Sequence, residues 1–228
     1  MDTLHVIIPC YDMAPWVGET VASVKAQKGG GWDCIIVDDG SRDGSGDILD
    51  AMTEGDPRFR VIHTPNKGVA AARNRAIAEA GGGYILPLDA DDRLLPHAVM
   101  RFRHEWMRHP GASLLVPRIR RFDAHGHTAI QHRTWYGYAD LMERCTPTNS
   151  SCYRYADWER VGGYRLWSMY EDWEFWLRLL WRNDRVVNVP EVLVEYRIRP
   201  GSRWHQAVEC HDEEVAYIRT MNPHIFTK

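Results

Sequence analysis

Short β-branched segments alternate with helix-forming segments through the first 100 residues, and this alternation restricts the fold more than any other feature. The segments LHVIIP (4–9), CIIVDDGS (34–41) and YILPL (84–88) have the composition of buried strands. The alanine-rich segment GVAAARNRAIAEA (68–80), closed by three glycines, is the clearest helix. Such alternation predicts βαβ units and a mostly parallel sheet flanked by helices, with the ligand site beyond the carboxyl ends of the strands.

The rest of the chain has a less regular pattern. The other elements that it predicts are helices at 15–27, 47–53 and 170–184 and strands at 60–64 and 113–123. Pro87 is unusual inside a strand, because proline cannot donate a backbone hydrogen bond. The segment 186–199 reads as two short extended pieces around Pro190, and the polar, histidine-rich stretch 124–145 has no pattern that assigns it.

The charge and the cysteine content argue against several classes of protein. With 28 basic and 31 acidic side chains the formal net charge is −3, so we expect no nucleic-acid partner. None of the five cysteines forms a Cys-x-x-Cys pair, and reduced thiols are expected. No apolar run approaches the roughly 18 residues of a membrane span. We therefore expect a cytoplasmic protein without a transmembrane segment, at most peripheral at the inner face of the membrane.

Three acids directly follow the third strand segment, in the sequence LDADD. Asp89 and Asp91 are two residues apart, so in an extended chain their side chains point to one side while Asp92 points away. Two carboxylates on one side are hard oxygen ligands that suit Mg²⁺ or Mn²⁺, which take further ligands from water and substrate phosphates. An acidic turn in which Asp92 caps the next helix explains these residues equally well. Both interpretations stay open at this point.

A second acid pair, Asp38 and Asp39, ends the second strand segment. A plain turn is the simpler explanation, but a carboxylate at a strand-end crevice can also accept hydrogen bonds from a nucleobase or a ribose. Arg73, in the alanine-rich helix, has a similar pair of explanations: a solvated helix face, or a guanidinium that faces a base or phosphate. Since both acid clusters follow strands of one sheet, we expect them to share one site.

Glu171 and Asp172 begin the predicted helix at 170–184. Carboxylates in a first helical turn are stabilised by the helix dipole and need no further role, whereas one kept ionised there can serve as a general base. Other chemistries lack their motifs: the chain has no His-Glu-x-x-His, no Gly-x-Ser-x-Gly and no Walker A sequence, and GSGDIL lacks the third glycine of a dinucleotide fingerprint. The acids are therefore the candidates for catalysis.

Seven motifs follow one another along the chain, namely VIIPCYD, IIVDDGS, NKGVAAARNRAI, ILPLDADD, RVGGY, YEDWEFWLRL and EYRIRPGS. In this order they resemble the family 2 glycosyltransferases with the GT-A fold, from Leu4 to Trp204. The resemblance implies an α/β fold with a Rossmann-like, mostly parallel central sheet flanked by helices and a smaller acceptor-side subregion. It implies one domain over 1–228, with a nucleotide-sugar-binding half at about 1–100, an acceptor-binding and catalytic-base half at about 101–205 and a tail at about 206–228.

The implied activity is the inverting, metal-dependent transfer of a sugar from a nucleoside diphosphate sugar, commonly a UDP-sugar, to an acceptor hydroxyl. Asp172 matches the catalytic base of the family. Asp89 and Asp91 match its Asp-x-Asp element, in which the second acid ligates Mn²⁺ or Mg²⁺ and the first contacts ribose or metal-bound water. The donor-binding positions that the motifs imply are Pro9, Tyr11, Asp12, Asp38, Asp39, Arg73, Asp89, Ala90, Asp91, Arg197 and Arg199.

Two positions depart from the family pattern. Relatives often carry a histidine shortly after Tyr-Arg that contributes to the metal and diphosphate site, but Arg199 occupies that position here. Either Arg199 contacts the phosphates directly, or His205 supplies the imidazole from further along the chain. Asp12 stands where asparagine is common. Arg197 is the candidate for the cation that balances the charge of the departing diphosphate.

The sequence contains few residues that indicate the acceptor. A saccharide, a lipid-linked acceptor and a small molecule are all compatible with it. We expect Trp167, in the loop before Asp172, to offer an exposed stacking platform, with Glu171 on the same side. Two other interpretations are a catalytically inactive nucleotide-sugar-binding module or partner subunit, and a metal-dependent phosphohydrolase. The presence of Asp89, Asp91 and Asp172 together favours the transferase.

Overall fold

The computed structural model describes residues 2–131, 135–165, 169–182, 185–199 and 209–226. Two residues expected at the site, Trp167 and His205, lie outside the described residues. None of the described helices has the length and apolarity needed to span a bilayer.

The first half contains four parallel strands in the order β3-β2-β1-β4. The strands are β1 (Leu4–Cys10), β2 (Trp32–Asp38), β3 (Phe59–His63) and β4 (Tyr84–Pro87), and the helices between them are α1 (Ala14–Lys25), α2 (Ser45–Thr53) and α3 (Val69–Ala80). Every residue of β1 is buried because the strand is central and covered on both faces. The βαβ pattern expected from the sequence is confirmed in this half.

The second half extends the same sheet with mixed pairing, in the order β4-β8-β6-β9-β5, and β7 pairs with β6. Its elements are β5 (Arg93–Leu94), α4 (Ala98–Arg108), β6 (Leu114–Phe122), β7 (Thr128–Gln131), α5 (Tyr138–Glu143), β8 (Cys152–Arg154), α6 (Tyr155–Arg160), α7 (Glu171–Leu180), β9 (Val186–Arg197), α8 (His211–Met221) and α9 (Pro223–Phe226). The unassigned stretch 124–145 therefore contains β7 and α5. The sheet with its flanking helices has the α/β architecture that the sequence predicted.

Both prolines that complicated the strand predictions lie where a hydrogen bond is not required. Pro87 is the last residue of β4, and β8 pairs with β4 only at Tyr84 and Ile85, so no strand lies opposite the missing N–H of Pro87 on that side. Pro190 lies inside β9, at a register shift against β6. The prediction of two separate pieces at 186–199 is therefore wrong, because a bulge accommodates Pro190 within one strand.

Two apolar clusters cover the two faces of the sheet. One lies beneath α1, α2 and α4, and the other beneath α3 and α7. The amphipathic helix α7 contributes Trp173, Trp176 and Leu177 to the second cluster. Every residue of α7 except Asp172 is buried, so packing on all sides fixes the first turn, which carries Glu171 and Asp172, against the end of the sheet.

Candidate active site

One cavity of about 700 Å³ lies beyond the carboxyl ends of the parallel strands. The turns after β1, β2 and β4, the start of α3, the loop before β8, the start of α7 and the end of β9 all contribute to its wall. The residues expected at the site that line it are Pro9, Tyr11, Asp39, Arg73, Asp89, Ala90, Asp91, Glu171, Asp172, Arg197 and Arg199. The structure thus brings Asp39, the acids after β4 and the acids of α7 to one cavity.

Asp39 forms one wall and is held by backbone donors. Its Oδ1 accepts a hydrogen bond from the N–H of Lys67 at 2.9 Å, and its Oδ2 accepts one from the N–H of Gly68 at 2.7 Å. Gly68 has a φ of 89°, a backbone conformation that favours glycine. The carboxylate therefore fixes the loop that leads into α3 and sets the shape of this wall.

Asp38 and Asp12 do not belong to the cavity wall. The Oδ1 of Asp38 accepts from the N–H of Ser41, and its Oδ2 lies 2.9 Å from the Nδ1 of His63. Burial tends to raise the pKa of the Asp38 carboxyl, but the hydrogen bonds from Ser41 and His63 outweigh it and lower the pKa. Asp12 accepts a hydrogen bond from the N–H of Arg42. Of the acid pair after β2, only Asp39 lies on the wall.

Arg73 joins the acids of the two halves. It is 2% exposed, and its Nη2 donates to Asp89 Oδ1 at 2.8 Å while its Nη1 donates to Glu171 Oε1 at 2.6 Å. Burial alone would lower the pKa of the guanidinium, but the charges of Asp89 and Glu171 outweigh it and raise the pKa. The same Asp89 oxygen accepts a hydrogen bond from Asn149 Nδ2 at 3.0 Å. The position of Asp89 is therefore fixed by two donors.

Asp91 is paired with the arginine that replaces the expected histidine. Its Oδ2 accepts from Arg199 Nε at 2.5 Å, and the Arg199 guanidinium lies 4.7 Å from the centre of the Trp16 ring. Burial and then the charge of Asp89 raise the pKa of the Asp91 carboxyl, and Arg199 partly offsets this. A permanent positive charge therefore lies against the Asp-x-Asp motif.

Asp92 turns toward β9 and fixes the position of Arg197. Its buried Oδ1 accepts from the backbone N–H of Arg197 at 2.8 Å. The side chain of Arg197 donates to the carbonyl oxygen of Asp91 at 2.8 Å and to Glu19 Oε2 at 2.8 Å. This tie between residues far apart in the sequence gives Asp92 a role that the turn interpretation did not include.

The donor atoms at Asp89 and Asp91 suit a hard divalent cation. Each carboxylate has one oxygen bonded to an arginine, Oδ1 of Asp89 and Oδ2 of Asp91, so its second oxygen is not taken up by these bonds. Mg²⁺ and Mn²⁺ accept few protein carboxylates and take further ligands from water and phosphate. Within the described ranges no group of three or more His, Cys, Asp or Glu residues is arranged for a metal. The chemistry thus fits an ion shared with a phosphate ligand.

Asp172 lies in the first turn of α7, on the wall of the cavity. Its Oδ1 accepts from the N–H of Trp173 at 2.7 Å. Burial and then the charge of Glu171 raise the pKa of the Asp172 carboxyl to about 6, although Arg73 acts in the opposite direction. A carboxylate with such a pKa is ionised at neutral pH and accepts a proton more readily than an ordinary aspartate.

Aromatic side chains beside Asp172 form a wall that the sequence did not predict. Tyr170, Trp173 and His211 all line the cavity. The Tyr170 hydroxyl lies 3.0 Å from His211 Nδ1, and the Trp173 and His211 rings stack with centroids 6.4 Å apart. Tyr170 and Trp173 lie within two residues of Asp172 in the sequence and could have been suspected, whereas nothing in the pattern marked His211 or Asn149 as residues of this site.

Comparison with protein families gives a match over most of the chain. The model of the family described as Glycosyl transferase family 2 matches residues 5–166. The "Putative teichuronic acid biosynthesis glycosyltransferase TuaG" of Bacillus subtilis (strain 168) is 43% identical over 91 residues, which are 40% of this chain and 36% of that protein. The "Chondroitin synthase" of Pasteurella multocida (strain Pm70) is 33% identical over 105 residues, which are 46% of this chain and 11% of that protein. The matched region thus spans about a third or less of these relatives.

Two solved structures have the same fold at low sequence identity. The structure titled S. aureus TarS 1-349 in complex with UDP-GlcNAc superposes with a TM-score of 0.74 at 18% identity, covering 90% of this chain and 61% of that chain. The mannosyltransferase PcManGT from Pyrobaculum calidifontis, in complex with GDP-Man and Mn²⁺, superposes with a TM-score of 0.73 at 17% identity. The superposition covers 93% of this chain and 62% of that chain. At such identities the similarity establishes the fold alone.

Proposed function

The chain belongs to glycosyl transferase family 2, whose model matches more than half of its length, and on that premise we propose that it transfers a sugar from a nucleoside diphosphate sugar to an acceptor hydroxyl with inversion. The observation that carries the proposal is that Asp39, Asp89, Asp91 and Asp172 line one cavity. Donor-binding acids and a candidate base must share a cavity for a direct transfer. UDP-GlcNAc and GDP-mannose, the donors named for two structures of this fold, are the first to test.

In this proposal the nucleoside diphosphate sugar lies in the cavity against the wall between Asp39 and Asp91. Pro9, Tyr11 and Asp39 surround the nucleoside, with Asp39 accepting a hydrogen bond from base or ribose in addition to its two backbone donors, since a carboxylate offers about four lone-pair sites. Asp38 and Asp12 support this wall from behind by fixing the turns around it. The diphosphate then lies against Asp89 and Asp91.

Asp172 removes the proton from the acceptor hydroxyl in the proposed reaction. The acceptor oxygen attacks the anomeric carbon from the face opposite the diphosphate, a new glycosidic bond forms, and the bond from the anomeric carbon to the phosphate oxygen breaks. A single displacement of this kind inverts the configuration. The raised pKa of Asp172 supports the assignment, because a base needs proton affinity near the working pH.

Arg197 and Arg199 balance the negative charge that develops on the departing diphosphate. Both guanidinium groups lie on the cavity wall beside the Asp-x-Asp motif. Fixed cations in a site with little water stabilise such a leaving group electrostatically. Mn²⁺ or Mg²⁺ held by Asp89 and Asp91 would add Lewis-acid stabilisation of the same charge.

The acceptor approaches along the wall formed by Tyr170, Trp173 and His211. The rings of Tyr170 and His211 suit a sugar, whose apolar face stacks on an aromatic ring while its hydroxyls reach the polar edge that the Tyr170–His211 contact forms. Trp173 is buried and supports His211 from behind. Saccharide acceptors are therefore the first class to test, and lipid-linked and small-molecule acceptors come second. One relative is named for teichuronic acid biosynthesis and another is a chondroitin synthase, which favours the same order.

The test follows both products in one reaction. The protein is incubated with UDP-GlcNAc or GDP-mannose and Mn²⁺, with and without a panel of oligosaccharides. Nucleoside diphosphate release and the mass of the acceptor are then measured. Release that depends on an acceptor, together with a glycosylated acceptor, supports the proposal. Release without glycosylation would instead indicate a phosphohydrolase, and binding of the donor without release would indicate an inactive binding module.

A further inference from the structure

Arg73 contacts acids from both halves of the cavity at once. Asp89 follows β4, whereas Glu171 begins α7, 98 residues after Arg73 in the sequence. The side chain of Arg73 is 3% exposed and that of Glu171 is 6% exposed, so their contact is almost completely removed from water. Charge-assisted hydrogen bonds in such surroundings are short and specific in geometry.

Both terminal nitrogens of the Arg73 guanidinium are engaged by acids. Its two terminal nitrogens donate to the two acids, its plane lies near the Tyr164 ring at 5.5 Å, and its Nε is buried without a hydrogen-bond partner among the described residues. Arg73 also lines the cavity, so its expected contact with a base or a diphosphate stays a prediction. The geometry adds a second role, toward the two acids.

We infer that Arg73 is a positioning residue, which through Glu171 holds the first turn of α7, and thereby the Asp172 carboxylate, at a fixed place relative to Asp89 and Asp91. Asp172 follows Glu171 directly, so any shift of the Glu171 contact moves the candidate base. The planar fork of arginine can bridge two carboxylates, while a lysine can satisfy only part of this geometry. The inference rests on the proposed function where it takes Asp172 as the base.

The charges of this ion pair act on Asp172 in opposite directions. After burial, the negative charge of Glu171 is the main factor that raises the pKa of Asp172, and the positive charge of Arg73 lowers it. The other charged or titratable groups that act on Asp172, or on which it acts, are Asp89, Tyr164 and Tyr170. Neutralising Arg73 and neutralising Glu171 should therefore move the Asp172 pKa in opposite directions.

The test measures the Asp172 titration directly, by ¹³C NMR of aspartate carboxyl groups in the free protein, with Asp172→Asn used to assign the signal. Arg73→Gln should raise the Asp172 pKa by about one unit or more, and Glu171→Gln should lower it. Arg75→Gln is the matched control. Arg75 lies on the same helix, is half exposed and pairs with Glu79 at 2.7 Å, so its removal should leave the Asp172 titration unchanged.

An Arg73 that only supports the fold, without lying against Asp172 through Glu171, would give a different result. Shifts in the same direction in both variants, or no shift in Arg73→Gln, would show that the Arg73–Glu171 pair does not lie against Asp172 as the geometry requires, and would overturn the inference. If Arg73→Gln does not fold, Glu171→Gln and Arg73→Lys carry the test. Arg73→Lys keeps the charge, so it should retain UDP binding with Mn²⁺ and an Asp172 pKa near the original, yet lose roughly tenfold or more in turnover.

These readouts separate the inference from the proposed function. The titration needs no substrate, so opposite pKa shifts would support the arrangement of Arg73, Glu171 and Asp172 even if no sugar donor were turned over. If Asp172→Asn kept full transfer activity, the assignment of the base would fail while the titration result remained valid. If Arg73→Lys bound UDP and turned over as well as the original protein, the bridging role of Arg73 would be rejected.

Discussion

The acids that follow β2 and the acids that follow β4 lie at the same edge of one sheet, but different partners hold them. Asp39 is held by two backbone N–H groups, whereas Asp89 and Asp91 are held by the guanidinium groups of Arg73 and Arg199. Backbone donors fix a carboxylate without adding a charge, and guanidinium groups add one. The first arrangement makes a fixed wall, and the second makes a charge-balanced one.

The difference between backbone donors and guanidinium donors indicates which acids are expected to take part in catalysis. We call Asp38 and Asp39 the backbone-held pair, although His63 also contacts Asp38, and we call Asp89, Asp91 and Glu171 the arginine-held cluster. Only the arginine-held cluster adjoins Asp172, through Glu171. Removing one partner of a buried ion pair is strongly destabilising, because it leaves the other charge buried without compensation. Substitutions around the arginine-held cluster should therefore affect catalysis, and substitutions in the backbone-held pair should affect mainly nucleotide binding and stability.

The largest effect is expected at Asp172. Asp172→Asn removes the candidate base but keeps the shape of the side chain, so transfer should fall by more than about 10²-fold while donor binding stays nearly intact. The measurement is steady-state transfer beside calorimetric titration with UDP and Mn²⁺. In the original protein, transfer should fall as pH drops below about 6, because the Asp172 carboxylate becomes protonated. A loss well below 10²-fold would exclude Asp172 as the essential base.

The next effect concerns the metal. Asp91→Asn should weaken Mn²⁺-dependent UDP binding by at least the roughly tenfold that loss of a metal site's supporting group costs. Calorimetry with and without EDTA measures it. If Arg199 contacts phosphate directly, Arg199→Gln should lower UDP affinity even in EDTA. Unchanged Mn²⁺ dependence in Asp91→Asn would reject its assignment as a metal ligand.

The sequence predicted more of the fold than of the contacts within the site. The β-branched runs and the glycines that close α3 predicted β1, β2, β4 and α3 closely, because these signals are local. The continuous strand β9 was missed, since a bulge at Pro190 is decided by pairing with β6. A local sequence pattern does not indicate which strand pairs with β9, and that pairing is what allows the bulge.

The same limit applies to the site. The acids could be found because each follows a strand or begins a helix, which places it at the sheet edge. The contact between Arg73 and Glu171 spans 98 residues, and Asn149 reaches Asp89 from an irregular loop. These pairings depend on how separate elements pack, so the sequence suggested the individual acids but did not reveal what holds them.

A smaller effect is expected in the backbone-held pair. Asp39→Ala leaves the N–H groups of Lys67 and Gly68 without their acceptor, which should lower the free energy of unfolding by about 1–3 kcal/mol. Nucleotide binding should weaken through the displaced loop. Chemical denaturation and UDP titration measure both quantities, and the exposed Asp47→Ala is the control. Full stability in Asp39→Ala would show that the wall does not depend on these bonds.

The smallest effect is expected at His63, which is about half exposed. The hydrogen bond to Asp38 raises the pKa of His63 in the folded protein, and its partial burial opposes this. A raised folded pKa stabilises the protein below about pH 6.5, and this stabilisation is lost as pH rises through the folded pKa. The difference in unfolding free energy between the original protein and His63→Gln should be below about 1 kcal/mol and shrink with rising pH. A difference that grows with pH would contradict the pairing.

The central claim is that the cavity binds a nucleoside diphosphate between the backbone-held pair and the arginine-held cluster. Thermal unfolding with UDP, GDP, CDP and ADP, each with and without Mn²⁺, tests it most directly. A nucleotide at about 100 times its dissociation constant should stabilise the fold by roughly 2.7 kcal/mol. One nucleotide should stabilise the protein more than the others, and this stabilisation should depend on Mn²⁺. No stabilisation by any of the four would contradict it.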